Sequence, residues 1–180
     1  MTELQCRWME PDEVNRVGEI DRSEIVRSGY VYEDGMLKKM DVQWDSSAWL
    51  DEGEGEHTVA AQIKFCRDHL LRGGCMYGVF DVDRLVGVGI LQPEIRKGIA
   101  QLACLHVSNG YRQKGIASCI TEALIYEAKR GGARQMYVSA TPSGSAVGFY
   151  RSQGFEPVER PLPELFELEP EDIHMLKELG

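Results

Sequence analysis

The segment Leu105-His106-Val107-Ser108-Asn109-Gly110-Tyr111-Arg112-Gln113-Lys114-Gly115-Ile116-Ala117 concentrates residue types that can hold an anion. An apolar strand pattern runs into a polar turn. The turn feeds a helix whose apolar stripe is Ile116, Ile120, Leu124 and Ala128. The first N–H groups of a helix have no acceptor within it and sit at the positive end of its dipole, so together they bind phosphate or carboxylate. Gly115 removes a Cβ from that approach, and Arg112 and Lys114 add positive charge. Neither the Rossmann nor the P-loop glycine spacing is present. Taken alone, the segment is an anion site at a helix start.

The surrounding pattern supplies the elements that must position this turn. Leu4 to Met9 reads as an edge strand. Pro11 opens a helix with Val14, Val17 and Ile20 on one stripe. Asp21 to Leu50 reads as irregular and aromatic-rich, and Asp51 to Glu56 as an acidic loop. A helix is expected from Thr58 to Leu71, striped by Val59, Ile63, Cys66 and Leu70 and ended by Gly73-Gly74. Met76–Phe80 and Leu85–Leu91 form a hairpin pattern about Asp81-Val82-Asp83, and Ile99–Val107 is a third strand. After the Gly115 helix, Met136–Ala140 reads as a buried strand, and Pro142 and Ser143 open a helix that Gly154 ends. Glu159 to Glu171 reads as a connector and Asp172 to Leu179 as a final strand.

The bulk composition narrows the function classes. The 180 residues are 43% hydrophobic, enough for a sizeable core in one domain. A net charge of −9 argues against nucleic-acid binding, which needs a basic surface, and suits a cationic substrate such as an amine. Charges interrupt every apolar run, so no membrane span is expected, and Met1 to Gln5 has neither the basic start nor the apolar core of a leader. Five scattered cysteines argue against a disulfide framework or a zinc site, so no metal is expected, most thiols are expected to be buried, and the expected compartment is the cytoplasm. A monomer and a homodimer are both compatible with the sequence.

With these elements in order, the chain resembles the GNAT family of N-acetyltransferases. Arg112-Gln113-Lys114-Gly115-Ile116-Ala117 fits the family's Arg/Gln-x-x-Gly-x-Gly/Ala signature. Ser143, Ala146, Tyr150, Gly154 and Phe155 match its downstream Asn-x-x-Ala-x-x-x-Tyr-x-x-x-Gly-Phe pattern, with Ser143 in place of Asn. The match runs from Met76 to Phe155, and Asp172-Ile173-His174-Met175 is similar to the family's last strand. The resemblance implies an α/β fold with a mixed, mostly antiparallel central sheet and helices on both faces. It implies a single acyltransferase domain over 1–180, divided into a helical acceptor-side part (1–75), a cofactor-binding core (76–158) and a connector with final strand (159–180).

The same resemblance implies acetyl-CoA as cofactor. Its pyrophosphate would meet Arg112, Gln113, Lys114, Gly115, Ile116 and Ala117, mostly through backbone amides. Its pantetheine arm would pair with the strand at Leu105, His106 and Val107, and Ser143 and Ala146 would complete the cradle. Tyr150 stands where the family often places a tyrosine near the sulfur. A phenol of pKa about 10 and a thiol of about 8.5 are close enough for proton exchange. Gln101 stands where members often carry a glutamate or histidine base; it lacks basicity but can orient a water or the acceptor. Strand alternation would put His106 on the opposite face from Gln101, Leu105 and Val107, as a packed histidine. Asp21, Glu24, Glu33 and Asp34 are the other carboxylates considered as base. Tyr30 and Tyr32, with Trp44 and Trp49, fall where the acceptor pocket commonly forms. The function implied is acetyl transfer to a primary amine of a small molecule or peptide. Gln101 keeps a second reading open, a non-catalytic acyl-CoA-binding sensor or interaction module.

Overall fold

The computed structural model describes residues 4–180. β1 (Leu4–Met9) leads into a 3-10 helix (Pro11–Glu19), then β2 (Glu24–Glu33), β3 (Met36–Ser46), α1 (Val59–Leu71), β4 (Cys75–Asp81), β5 (Arg84–Arg96) and β6 (Ile99–Val107). The second half runs α2 (Ile116–Arg130), β7 (Gln135–Ala140), α3 (Gly144–Ser152), β8 (Glu156–Pro157), α4 (Pro163–Leu168) and β9 (Ile173–Glu178). Seven strands form one sheet in the order β1-β4-β5-β6-β7-β9-β8. Its neighbours are antiparallel except β6 and β7. The expected mixed, mostly antiparallel sheet with helices on both faces is therefore present.

Two apolar cores form, one on each face. Alternating residues of β4 to β7 and β9 pack with Ile116, Ile120 and Leu124 of α2 and Val147 and Tyr150 of α3. The intervening residues, including Met76, Val88, Ile90 and Cys104, pack with Val14 and Val17 of the 3-10 helix and Cys66 of α1. The small residues of β5 set how close α2 can come. A Cβ at Gly87 would lie 2.6 Å from Ile116 Cγ2, and one at Gly89 would overlap Ile120 Cγ2.

The segment from Asp21 to Leu50, expected to be irregular, holds the separate two-stranded hairpin of β2 and β3. The described residues before β4 thus hold three strands beside the 3-10 helix and α1. Asp34 and Gly35 both have positive φ (53° and 73°), the two-residue turn that matches strand twist, and an Asp-Gly pair is its sequence signal. The signal is muted because β3 buries neither face fully, so its apolar residues do not alternate cleanly. The connector after Glu159 likewise contains the short α4.

The cysteines are all free, and the fold brings four of the five into pairs. Cys6 Sγ and Cys119 Sγ lie 3.4 Å apart, and Gln62 Nε2 reaches both Cys66 and Cys104. Cys6 is exposed. Among the described residues no helix is long and apolar enough to cross a membrane.

Because α2 rests directly on Gly89, the Gly89→Val variant is expected to lose about 1–3 kcal/mol of stability through overpacking, read as a lower urea midpoint.

Candidate functional site

β6 and β7 pair only over Ile99–Gln101 and Gln135–Tyr137. Past those residues the two strands diverge and open a cleft of ≈ 1300 Å³, lined by the second half of β6, the Tyr111–Ser118 turn, the end of β7 and α3. The Ser108 amide donates to Val86 O. Antiparallel alternation then makes His106 a hydrogen-bonded partner of Val88 and turns the backbone groups of Leu105 and Val107 to the divergent side. Val107 O there accepts from Arg112 Nε (3.2 Å).

The cleft ends at the start of α2. Gly115 caps that helix with φ +80° and makes no side-chain cap bond, whereas Thr58 caps α1 and Ser143 caps α3 through Ala146 N. The first intrahelical bond runs from Cys119 N to Gly115 O, so the amides of Ile116, Ala117 and Ser118 have no acceptor inside the helix. Open space lies where a Gly115 Cβ would be, and Gln113 is left-handed at φ +62°. Free amides and open space thus coincide at the helix start where the sequence leads one to expect an anion site.

The basic residues behave differently from each other. Arg112 lines the cleft but is engaged as a brace, with Nη2 donating to Arg22 O (2.9 Å) and Nη1 3.6 Å from Glu24. Lys114 is exposed, lies over the Tyr111 ring (4.9 Å) and is not among the lining residues. Leu105, His106, Val107, Gln113, Gly115, Ile116, Ala117, Ser143, Ala146 and Tyr150 all line the cleft.

Gln101 does not. Register slips between Ile90↔Cys104 and Leu91↔Leu102, so Ala103 is an extra residue in β6. The bulge reverses the alternation below it. Gln101 therefore shares a face with Cys104 and His106, contrary to the face expected from simple alternation. It sits buried beside its partner Gln92, whose Oε1 is 3.0 Å from His69 Nδ1 of α1. Tyr30 and Tyr32 also fall elsewhere: both pack against the α2–α3 core, and the Tyr30 amide donates to Pro142 O. Trp44 and Trp49 line the cleft instead, joined by Phe65, Ser145 and Phe149, which the sequence reading did not single out. Phe65 lies on the expected α1 helix, off its core stripe, and that was the available signal.

Three titratable groups in the cleft are displaced by the same cause, loss of water. Burial raises the Tyr150 hydroxyl well above its ordinary value, with Cys104 and Asp172 adding to the effect. Burial also lowers His106 to about 4, helped by the Arg22 and Arg112 charges. Its ring is edge-on to Trp49 at 5.0 Å. Asp172 is raised to about 7 by burial and by neighbouring Glu169. Carboxylates line the cavity at Glu24, Asp45, Glu56, Glu169 and Asp172.

Compared with family models, residues 72–157 match the acetyltransferase (GNAT) domain. No curated protein matches the chain. Among solved structures, nourseothricin acetyltransferase is similar with a TM-score of 0.74 at 14% identity, over 99% of this chain and 100% of that one. A Bacillus anthracis str. Ames protein in complex with acetyl coenzyme A, provisionally described as a streptothricin acetyltransferase, has a TM-score of 0.70 at 17% identity over 97% and 96%. PaiA N-acetyltransferase from Thermoplasma acidophilum, in complex with coenzyme A, has 0.64 at 14% over 98% and 99%. At these identities the likeness is one of fold.

The site's electrostatics set a measurable expectation. The His106 ring resonances should titrate near 4, so the imidazole stays neutral where an exposed histidine is already charged; a ¹H–¹⁵N titration of the rings reads this directly.

Proposed function

We propose that the cleft of this chain, whose residues 72–157 match a GNAT acetyltransferase domain, transfers an acetyl group from acetyl-CoA to a primary amine of a cationic small molecule. The observation that carries this reading is the free edge of β6 running into the uncapped start of α2. Leu105 and Val107 offer strand-like backbone partners to an extended amide arm, and the Ile116, Ala117 and Ser118 amides offer donors to a pyrophosphate. Gly115 leaves the space such a group needs. The residues present therefore fit the cofactor, and acetyl-CoA bound there supplies an activated thioester. The bound coenzymes of two structures of the same fold support this choice.

The chain's own residues divide the work. Ile116, Ala117 and Ser118 bind the anion, and Arg112 holds their loop against Val107 O and Arg22 O. Backbone donors of the free β6 edge polarise the acyl carbonyl and stabilise the oxyanion. Tyr150 reaches the same space from α3. Its raised pKa makes full proton transfer to a thiolate uphill, so Tyr150 acts by donating a hydrogen bond to the leaving sulfur. On the acceptor side, Asp45 and Glu56 attract a cation and the faces of Trp44, Trp49 and Phe65 can contact it. Two of the similar folds carry names that specify small-molecule acceptors, nourseothricin and streptothricin, which supports a small molecule over a peptide. A cytoplasmic location fits the acidic composition and five free thiols.

A coenzyme-release assay across monoamines, di- and polyamines and peptide α-amines tests the reading. Turnover is expected with amines that carry a second positive charge. Release from no member of that panel would overturn it. Tyr150→Phe is expected to lower kcat about 10- to 100-fold while acetyl-CoA still raises the melting midpoint, because the hydroxyl serves the leaving group and not cofactor docking.

A further inference from the structure

An amine that is protonated in solution must lose a proton before its nitrogen can attack. Gln101, at the position where the resemblance suggested a base, is buried beside Gln92 and does not line the cleft. The cleft's other titratable groups do not fill the gap. Glu24 is 3.6 Å from the Arg112 guanidinium, Asp45 and Glu56 stand exposed, His57 is exposed with its Nδ1 3.4 Å from the Arg22 guanidinium, and His106 is a weak base under the Arg22 and Arg112 charges. Glu169 is exposed.

We propose that Asp172, at the entry to β9, is the general base that accepts the proton of the acceptor ammonium. This rests on the acetyl-transfer reading and completes it. Ile173 pairs with Ala140, and Ile173 and Met175 enter the α2–α3 core. Alternation therefore projects Asp172 and His174 to the other face, the one that carries Trp49, Cys104 and His106. An amine entering from that face meets Asp172, while Tyr150 reaches the cleft from the opposite face. The turn before β9 is firmly held. His174 Nδ1 is 2.9 Å from Tyr137 Oη, its Nε2 is 3.0 Å from Glu169 O, and Asp172 N donates to Glu169 O at 3.2 Å. Among the described residues no cation or hydrogen-bond donor engages the Asp172 carboxylate, so its lone pairs are free to receive a proton.

The charged and titratable groups that sense it are Glu169, from the turn after α4, and Tyr150, from α3, and His174 follows it on β9. With burial, Glu169 keeps the carboxyl protonated to a higher pH than usual, about 7, which suits a group that must both take up and release a proton at neutral pH. The balance is simple. Asp172 takes one proton from the ammonium, and the freed lone pair forms the C–N bond to the acyl carbon. The C–S bond breaks with its electron pair on sulfur, the second nitrogen proton passes to that sulfur, and Asp172 returns its proton to water.

The test compares wild type with Asp172→Asn and Asp172→Glu. In D172N, kcat at pH 8 is expected to fall about 100-fold or more while acetyl-CoA still raises the melting midpoint. The wild-type rate is expected to fall on the acid side with an apparent pKa near 7, a limb lost in D172N and retained in D172E. Two measurements need no turnover. A ¹³C carboxyl resonance of the ligand-free protein should titrate near 7 and vanish in D172N. A carboxyl whose folded pKa exceeds its unfolded value binds more protons in the folded state between the two, so it costs stability as pH rises through that window. D172N should accordingly melt above wild type at pH 8, with the gap closing by about pH 4, near the unfolded pKa. An active wild type with D172N within about 3-fold of it, far short of a general base's usual contribution, overturns the base assignment alone. A wild type that acetylates no amine overturns the acetyl-transfer reading, and the base role with it.

Discussion

Parallel pairing between β6 and β7 stops at Gln101 and Tyr137, and the site follows from that divergence. A buried N–H or C=O left without a partner costs about 1–3 kcal/mol, so the freed edge of β6 must face water or a ligand. The bulge at Ala103 changes which side chains meet each face just as the strands part. Above it, Leu105 and Val107 turn their backbone groups to the opening. Below it, Gln101 is buried beside Gln92, on the face away from Leu105 and Val107. The β6 edge then runs straight into the α2 start, where a second set of unpaired amides waits.

Packing on the two faces holds the opening in place. Gly87 and Gly89 let α2 lie directly on β5, which fixes the helix start against the end of β6. Ser143 caps α3 and so sets where Tyr150 enters from the same side. On the other face the 3-10 helix and α1 bury Val88, Ile90 and Cys104, and Phe65 and Trp49 reach the cleft wall. Arg112 joins the parts: one guanidinium meets Val107 O, Arg22 O and Glu24. A residue type expected to serve as phosphate charge serves here as scaffold, because carbonyls and a carboxylate surround it.

Loss of water assigns the chemistry. The same desolvation keeps Tyr150 protonated, His106 neutral and Asp172 poised near neutrality. Each shift disfavours the charged form of its group. Carboxylates oppose anions along the cleft, while the free amides at the start of α2 favour them there.

Much of this was legible in the chain itself. Period-3.6 stripes marked α1 and α2, period-2 runs marked β4 to β7, and the Arg112–Ala117 turn announced an anion site, because local backbone geometry follows from local residue order. Asp34-Gly35 held the hairpin signal, but β3 is half-solvated and its alternation is weak. What depended on partners far along the chain was decided only by the tertiary structure. Register across β5 and β6 created the bulge that removed Gln101 from the cleft. Docking of β2 on α3 drew Tyr30 and Tyr32 into the core and left Trp44 and Trp49 at the opening. Pairing of β9 with β7 carried Asp172, from a stretch expected to begin only a final strand, to the cleft wall. Sequence order fixes which residues share a strand or helix face; which face meets the substrate is set by contacts between elements, and a one-residue slip is enough to reverse it.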